Sequence, residues 1–203
     1  MPRRTTTAAA AIGVMAVCAI AATPDASAGR LANGYKKVSD GAMVVQTWRS
    51  GEYAAPQNSM AANGIGRSAI LSGTIVAKVS KGEGKLRVGY LVGCQVAVGT
   101  LTAGVSGTIA AAPSLSGSLS FPLAPGEIKA VQLSTQNIKS SARYQYSGLE
   151  VEVQGCGGHA QARSYAKVEA VEGYSIGTAT STNIGGSGAY VQSTLLGQPF
   201  SLN

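Results

Sequence analysis

Charge is scarce in this sequence. Asp, Glu, Lys and Arg make up 12% of 203 residues, about half the usual share of roughly 25%. That excludes a charge-rich disordered tail, and 45% apolar content is ordinary for a packed chain. Aromatics are 5%, and there is one histidine and one tryptophan. Strong helix formers are sparse beside Gly, Ser, Thr and Val, which excludes a helical bundle. Beyond the N-terminal segment no run of eighteen apolar residues occurs, so no helix is expected to span a bilayer. Glycine, by contrast, is abundant: 27 of 203 residues, about 13% against about 7% in an average protein.

The first 28 residues read as an export signal. Arg3 and Arg4 form a short basic start, Ala8 to Ala22 is an apolar stretch, and Ala26-Ser27-Ala28 is an A-x-A cleavage site, so the mature chain is expected to begin at Gly29. The alternative, a single-pass anchor, is disfavoured by the short apolar run and the lack of a stop-transfer flank. Pro2-Arg3-Arg4-Thr5 is a poor twin-arginine match, and Met15-Ala16-Val17 before Cys18 is a poor lipobox. Without residues 1–28, which hold Arg3, Arg4 and Asp25, 14 basic and 8 acidic side chains leave a formal charge of +6. The only close cationic group is Lys78, Lys81, Lys85 and Arg87, where Ser80 to Gly84 reads as a solvated turn. A nucleic-acid face would cluster its cations with stacking aromatics, and none is legible here. Cys94 and Cys156 remain in the mature chain and are expected to form a disulfide in an oxidising compartment, the alternative being two buried free thiols.

Segments of strand character alternate with Gly, Pro and Asn turns: Met43 to Trp48, Ser68 to Val79, Leu86 to Val98, Glu127 to Leu133, Leu149 to Val153, Ala160 to Val171 and Tyr190 to Gln192. Strands without helical intervals predict an all-β fold, an antiparallel sandwich or barrel.

From Val88 to Gly126 no residue is charged. Within that stretch Leu101, Ala103, Val105, Gly107 and Ile109 alternate with Thr100, Thr102, Ser106 and Thr108, with Gly104 the exception. Ala110-Ala111-Ala112-Pro113 interrupts the pattern, which resumes with Leu115, Gly117, Leu119 and Phe121 against Ser114, Ser116, Ser118 and Ser120. A period of two over two joined segments is a β-hairpin, placed at residues 99–122. An uncharged hydroxyl face opposite a Leu/Val/Ile face fits a barrel wall with water inside and lipid outside. About nine residues at about 3.3 Å, tilted about 40°, rise about 23 Å, close to an apolar band of about 25 Å. One hairpin would leave unpaired backbone groups in hydrocarbon, so a membrane hairpin demands a ring of identical subunits. The bland alternative is a Gly/Ser-rich loop or an ordinary sandwich hairpin. On the membrane reading Thr100, Thr102, Ser106, Thr108, Ser114, Ser116, Ser118 and Ser120 line the pore. Leu101, Val105, Ile109, Leu115, Leu119 and Phe121 face lipid.

Several pieces, in order, resemble the MspA family of mycobacterial porins. Val45-Gln46-Thr47-Trp48 resembles its early V-x-Q-x-W segment, and Val88 to Gly93 its L-G-Y-Q-I-G strand. Gly155-Cys156-Gly157-Gly158 followed by Ala162 to Ala166 resembles its G-x-G-G run and the R-x-x-A strand after it. Leu196 to Asn203 resembles its closing Y-G-E-P-W-N-M-N. A cysteine pair at these two positions is also seen in similar proteins from other mycolate-bearing actinobacteria. The resemblance implies a goblet-shaped homo-octamer in the mycolic-acid outer membrane. It implies a porin domain over residues 29–203, with a β-sandwich forming rim and vestibule and one long hairpin per subunit in a sixteen-stranded stem. The implied function is passive diffusion of small hydrophilic solutes and ions, with no cofactor. One departure is plain. The family's best-known channel carries a D-D-G-D turn, and here Ala110-Ala111-Ala112-Pro113 stands at the hairpin tip in a shorter connecting segment. Cation preference therefore does not carry over, and weak selectivity set by Lys129, Glu127 and Arg87 is expected.

An enzyme is disfavoured. His159 is the single candidate base and has no evident nucleophile or carboxylate arrangement, and no ligand cluster suggests a metal. Gly64-Ile65-Gly66 and Gly185 to Gly188 lack the Lys-Ser/Thr of a phosphate loop. The competing function is an exported, soluble β-sandwich module that binds cell-wall material without forming a pore.

Overall fold

The computed structural model describes residues 29–41, 43–59, 65–96, 118–123, 126–173 and 188–202, with the backbone alone at 118–122. The strands are β1 (Gly29–Arg30), β2 (Gly34–Asp40), β3 (Met43–Gln57), β4 (Gly66–Val79), β5 (Glu83–Cys94), β6 (Ser118–Pro122), β7 (Ile128–Ile138), β8 (Ser141–Gln154), β9 (Ala160–Glu172), β10 (Ala189–Leu196) and β11 (Phe200–Leu202). No helix occurs among the described residues, and the all-β expectation holds. The export segment, residues 1–28, lies outside them.

Two sheets form. The larger runs β1-β3-β4-β8-β6, with β2 also on β3; the smaller runs β10-β9-β5-β7, with β11 also on β9. Every pairing is antiparallel except β6 with β8. Alternation explains the layering. Met43 and Val45 of β3, Leu71 and Ile75 of β4, Leu86, Val88 and Val92 of β5, and Ala166 and Val168 of β9 are all buried. Their strand neighbours point outward, so each sheet turns one apolar face toward the other. Burying each Val, Leu or Ile of this set stabilises by roughly 1.5–3 kcal/mol before chain entropy is counted.

Several elements run longer than the sequence pattern predicts. β3 continues nine residues past Trp48, through a register shift between Ser50 and Tyr53 where Gly51 adopts φ 61°. The extra residue changes which parity faces the core: Arg49 before it and Glu52 after it both point inward, 3% and 1% exposed. Pro56 stands near the end of β3, opposite Ala69 of β4 and beyond Ala54, where the pairing with β1 stops. The turn expected over Ser80 to Gly84 is tighter: Glu83 and Gly84 already pair with β9, and Gly82 closes it at φ 74°. Lys85, expected beside that solvated turn, is 5% exposed. β1, β2 and β11 have no counterpart among the expected segments.

The core also holds a polar group. The Arg49 guanidinium donates to a Glu52 carboxylate oxygen. The Tyr146 hydroxyl donates to the other Glu52 oxygen at 3.5 Å and shares a 2.5 Å hydrogen bond with Tyr90. Room for it comes from Gly73, where a Cβ would sit 2.6 Å from the Tyr146 hydroxyl and 3.0 Å from Glu52 Cγ. Burial, followed by the Glu52 carboxylate, pushes the Tyr146 hydroxyl far above its ordinary value of 10.0. Burial, followed by Tyr146, does the same to Tyr90.

Candidate functional site

The strand before the hairpin is β5, and its end is held on several sides. Cys94 is in register with Ala160 of β9, and Gly93 with Ile128 of β7. The Gln95 N–H donates to the His159 carbonyl at 2.9 Å, and the Gly157 and Gly158 N–H groups donate to the Val96 carbonyl at 3.0 and 3.2 Å. A Cβ on Gly158 would lie 2.9 Å from Val96 Cβ, so this close approach needs glycine. The disulfide joins Cys94 to Cys156 with Cα atoms 6.0 Å apart, as the pairing expectation required. Cys156 lies in the connection between β8 and β9, so the bond ties a strand end to a loop.

The expected stem is reached only at its return end. Thr100, Thr102, Ser106, Thr108, Ser114 and Ser116, with Leu101, Val105, Ile109 and Leu115, lie outside the described residues. Ser118, Leu119, Ser120 and Phe121 belong to β6, in register with Glu150, Val151, Glu152 and Val153 of β8. The segment is extended, as its alternation predicts. In the single chain its partner is the edge of the larger sheet. The chain thus leaves from the smaller sheet at Cys94 and returns on the larger one.

Charged side chains expected to set the vestibule field are separated. Arg87 lies midway along β5 on the outward face of the smaller sheet and donates to Glu169 of β9 at 2.5 Å; Lys167 reaches the other Glu169 oxygen at 2.9 Å. Burial raises the Glu169 carboxyl, but the Lys167 hydrogen bond and the Arg87 charge outweigh it, and the net shift is downward. Glu127 and Lys129 stand instead at the start of β7, beside the hairpin root. Sequence reasoning missed Lys167 and Glu169. Their spacing of two along β9 was visible, but the placement of Lys167 opposite Arg87 and of Glu169 opposite Lys85 follows only from the β5–β9 register.

A cleft of about 430 Å³ opens next to the disulfide, lined by His159, Arg163, Gln161, Gln95, Glu127 and Ile128 among others. Among the described residues no Ser or Thr lines it. The Arg163 guanidinium donates to the Gly197 carbonyl at 3.0 Å, fixing the turn that leads into β11. Among the described residues no three His, Cys, Asp or Glu side chains gather as metal ligands. Geometry here holds the end of β5 against the β8–β9 connection and places an ion-paired cluster on the outward face of the smaller sheet.

The MspA family model matches residues 40–182, which is more than half of the chain and includes all of 99–122. The chain belongs to the MspA family. Membership implies a porin-like, oligomeric channel of an outer membrane, not an enzyme. No curated protein matches the sequence.

Proposed function

We propose that this MspA-family chain is an outer-membrane porin: a ring of identical subunits, eight as the family resemblance implies, enclosing a water-filled channel for passive diffusion of small hydrophilic solutes and ions. Residues 1–28 are removed on export. Residues 99–122 supply each subunit's two stem strands, and the sandwich forms the rim and vestibule. The observation that carries this reading is the charge-free alternation across 99–122 inside a family match that spans it. Hydroxyls at Thr100, Thr102, Ser106, Thr108, Ser114 and Ser116 keep the lumen wet, and Leu101, Val105, Ile109 and Leu115 meet lipid. Ser118, Ser120, Leu119 and Phe121 extend these two faces toward the sandwich. With no acidic ring at the tip, nothing concentrates cations there, and selectivity is weak.

The test is single-channel recording of detergent-extracted protein in a planar bilayer. Long-lived ohmic steps with a reversal potential near zero in a salt gradient are expected. A strong cation preference would contradict the selectivity argument alone. One observation favours a second reading, the soluble wall-binding module: Ser118–Pro122 pair with β8 in the single chain. A soluble monomer that is silent in the bilayer would establish that reading instead.

A further inference from the structure

The outward face of the larger sheet carries a site that the channel reading does not use. Strand register lines up Tyr35, Trp48, Val76 and Arg143 in one row across β2, β3, β4 and β8. The row beside it is Lys37, Gln46, Lys78 and Ser141. On the other side lie Ser50, Thr74 and Gln145. The Tyr35 and Trp48 rings are 5.4 Å apart and inclined by 36°, and the Lys78 ammonium stands 5.7 Å from the Trp48 ring. Tyr35 is 52% exposed although its hydroxyl accepts from Gln46 at 3.1 Å. A cleft of about 470 Å³ opens over Tyr35, Trp48, Ser50, Val76 and Lys78, within the range of roughly 300–1,000 Å³ usual for small-ligand sites.

Charge fixes the class of occupant. The three rows contain Lys37, Lys78 and Arg143 and no carboxylate. Along β8, the nearest acid of this face, Glu150, pairs with Ile70, six residues along β4 from Val76; that is about 20 Å at about 3.3 Å per residue. Aromatic faces beside amides and hydroxyls suit a pyranose ring, whose C–H face stacks on the indole while its hydroxyls meet Gln46 and Ser50. Lys78 and Arg143 then take a carboxylate or phosphate on the sugar. A membrane anchor would project aliphatic side chains beside the aromatics, and Val76 is half-buried. A single-stranded nucleic acid would need a longer row of stacking rings than this one pair.

We propose that the Tyr35–Trp48–Lys78–Arg143 surface binds an anionic saccharide chain in water, one or two sugar units seated over the Trp48 ring.

Trp48 is the chain's single tryptophan, so its emission reports the site directly. The full chain in detergent is titrated with hexagalacturonate at 0.15 M salt. A saturable change in Trp48 emission is expected, with maltohexaose at least tenfold weaker and the exposed double variant K78Q/R143Q also at least tenfold weaker. Calorimetry on Trp48→Leu, expected to show loss of binding, supplies a readout that does not depend on the fluorophore. No saturable change, equal binding of the neutral sugar, or unaltered binding by K78Q/R143Q would overturn the proposal. So would a response to phosphatidylinositol vesicles or to a single-stranded oligonucleotide in place of hexagalacturonate, which would reassign the surface to a membrane or to nucleic acid.

Discussion

Opening the Cys94–Cys156 bond should lower stability by an amount the chain length sets. The bond closes a loop of 62 residues. Cross-linking a loop of that size removes about 14 cal/mol/K of entropy from the unfolded chain, or about 4 kcal/mol at 25 °C. Measured disulfides commonly give about 2–4 kcal/mol, and each kcal/mol moves Tm by about 2–4 °C in a domain of 150–250 residues. We therefore expect the chain refolded and held under dithiothreitol to melt about 4–16 °C below the oxidised one. Both cysteines are buried, 3% and 1% exposed, so reduction is carried out in denaturant before refolding. Hydrogen exchange adds a local readout. The amides of Gln95, Gly157 and Gly158 bridge residues 95–96 to the β8–β9 connection, and they should exchange faster once that connection is released. Amides of the β4–β8 ladder should change least. A shift below about 2 °C, or loss of protection spread evenly over the sandwich, would refute the claim that this bond secures the hairpin root.

Three further outcomes follow from the same reasoning. Replacing Val105 by Arg should cost about 2–4 kcal/mol per subunit if it faces lipid at mid-depth, and oligomer yield on a non-reducing gel would fall; normal assembly would remove Val105 from the lipid face. In the core, Arg49→Met strands the Glu52 carboxylate and should cost about 3–5 kcal/mol, whereas the double variant R49M/E52L should recover most of that in denaturant melts. Tyr90 and Tyr146 hold their protons in the folded chain well above the ordinary tyrosine value of 10.0. The unfolded chain then binds fewer protons above pH 10, so stability is full below that pH and falls as pH rises further. Absorbance at 295 nm should show both tyrosines ionising only with the unfolding transition, and smooth early titration of all tyrosines would contradict it.

Alternation carried the sheets. β4 and β9 were legible almost to their ends because Ala, Val, Ile and Leu take most of the inward alternate places, Gly73 and Ser164 apart. β3 was legible only to Trp48, because beyond it the core-facing residues are Arg49 and Glu52, a pattern that reads as surface. A glycine bulge and a buried ion pair are each invisible to a period of two. β7 was cut short for a related reason. Ser134 to Ile138 is mostly polar, and an edge strand needs little apolar content to hold its place. The anionic-saccharide surface was hidden by distance along the chain: Tyr35, Trp48, Lys78 and Arg143 become neighbours only through three successive registers. A search for cations close in sequence found Lys78, Lys81, Lys85 and Arg87, of which Lys85 is buried and Arg87 is paired with Glu169.

Ser118 to Phe121 show where such a reading ends in principle. Their alternation specifies an extended strand with one hydroxyl face and one apolar face, and the backbone is extended there. It does not specify the strand on the other side of the hydrogen bonds. In an isolated subunit the available edge is that of β8, and β6 takes it in parallel, the only pairing of that kind among the described strands. In the proposed ring a neighbouring stem strand is also within reach, and lipid on one side with water on the other rewards the same two faces. Nine residues are needed to cross the apolar band. Ser114 to Gly117 span about 13 Å along the strand at about 3.3 Å per residue, too little to cross alone. The return strand of a membrane stem must therefore use Ser118 to Phe121 as well. The sandwich edge and the stem draw on one segment, and the partner that segment finds depends on whether a second subunit is present.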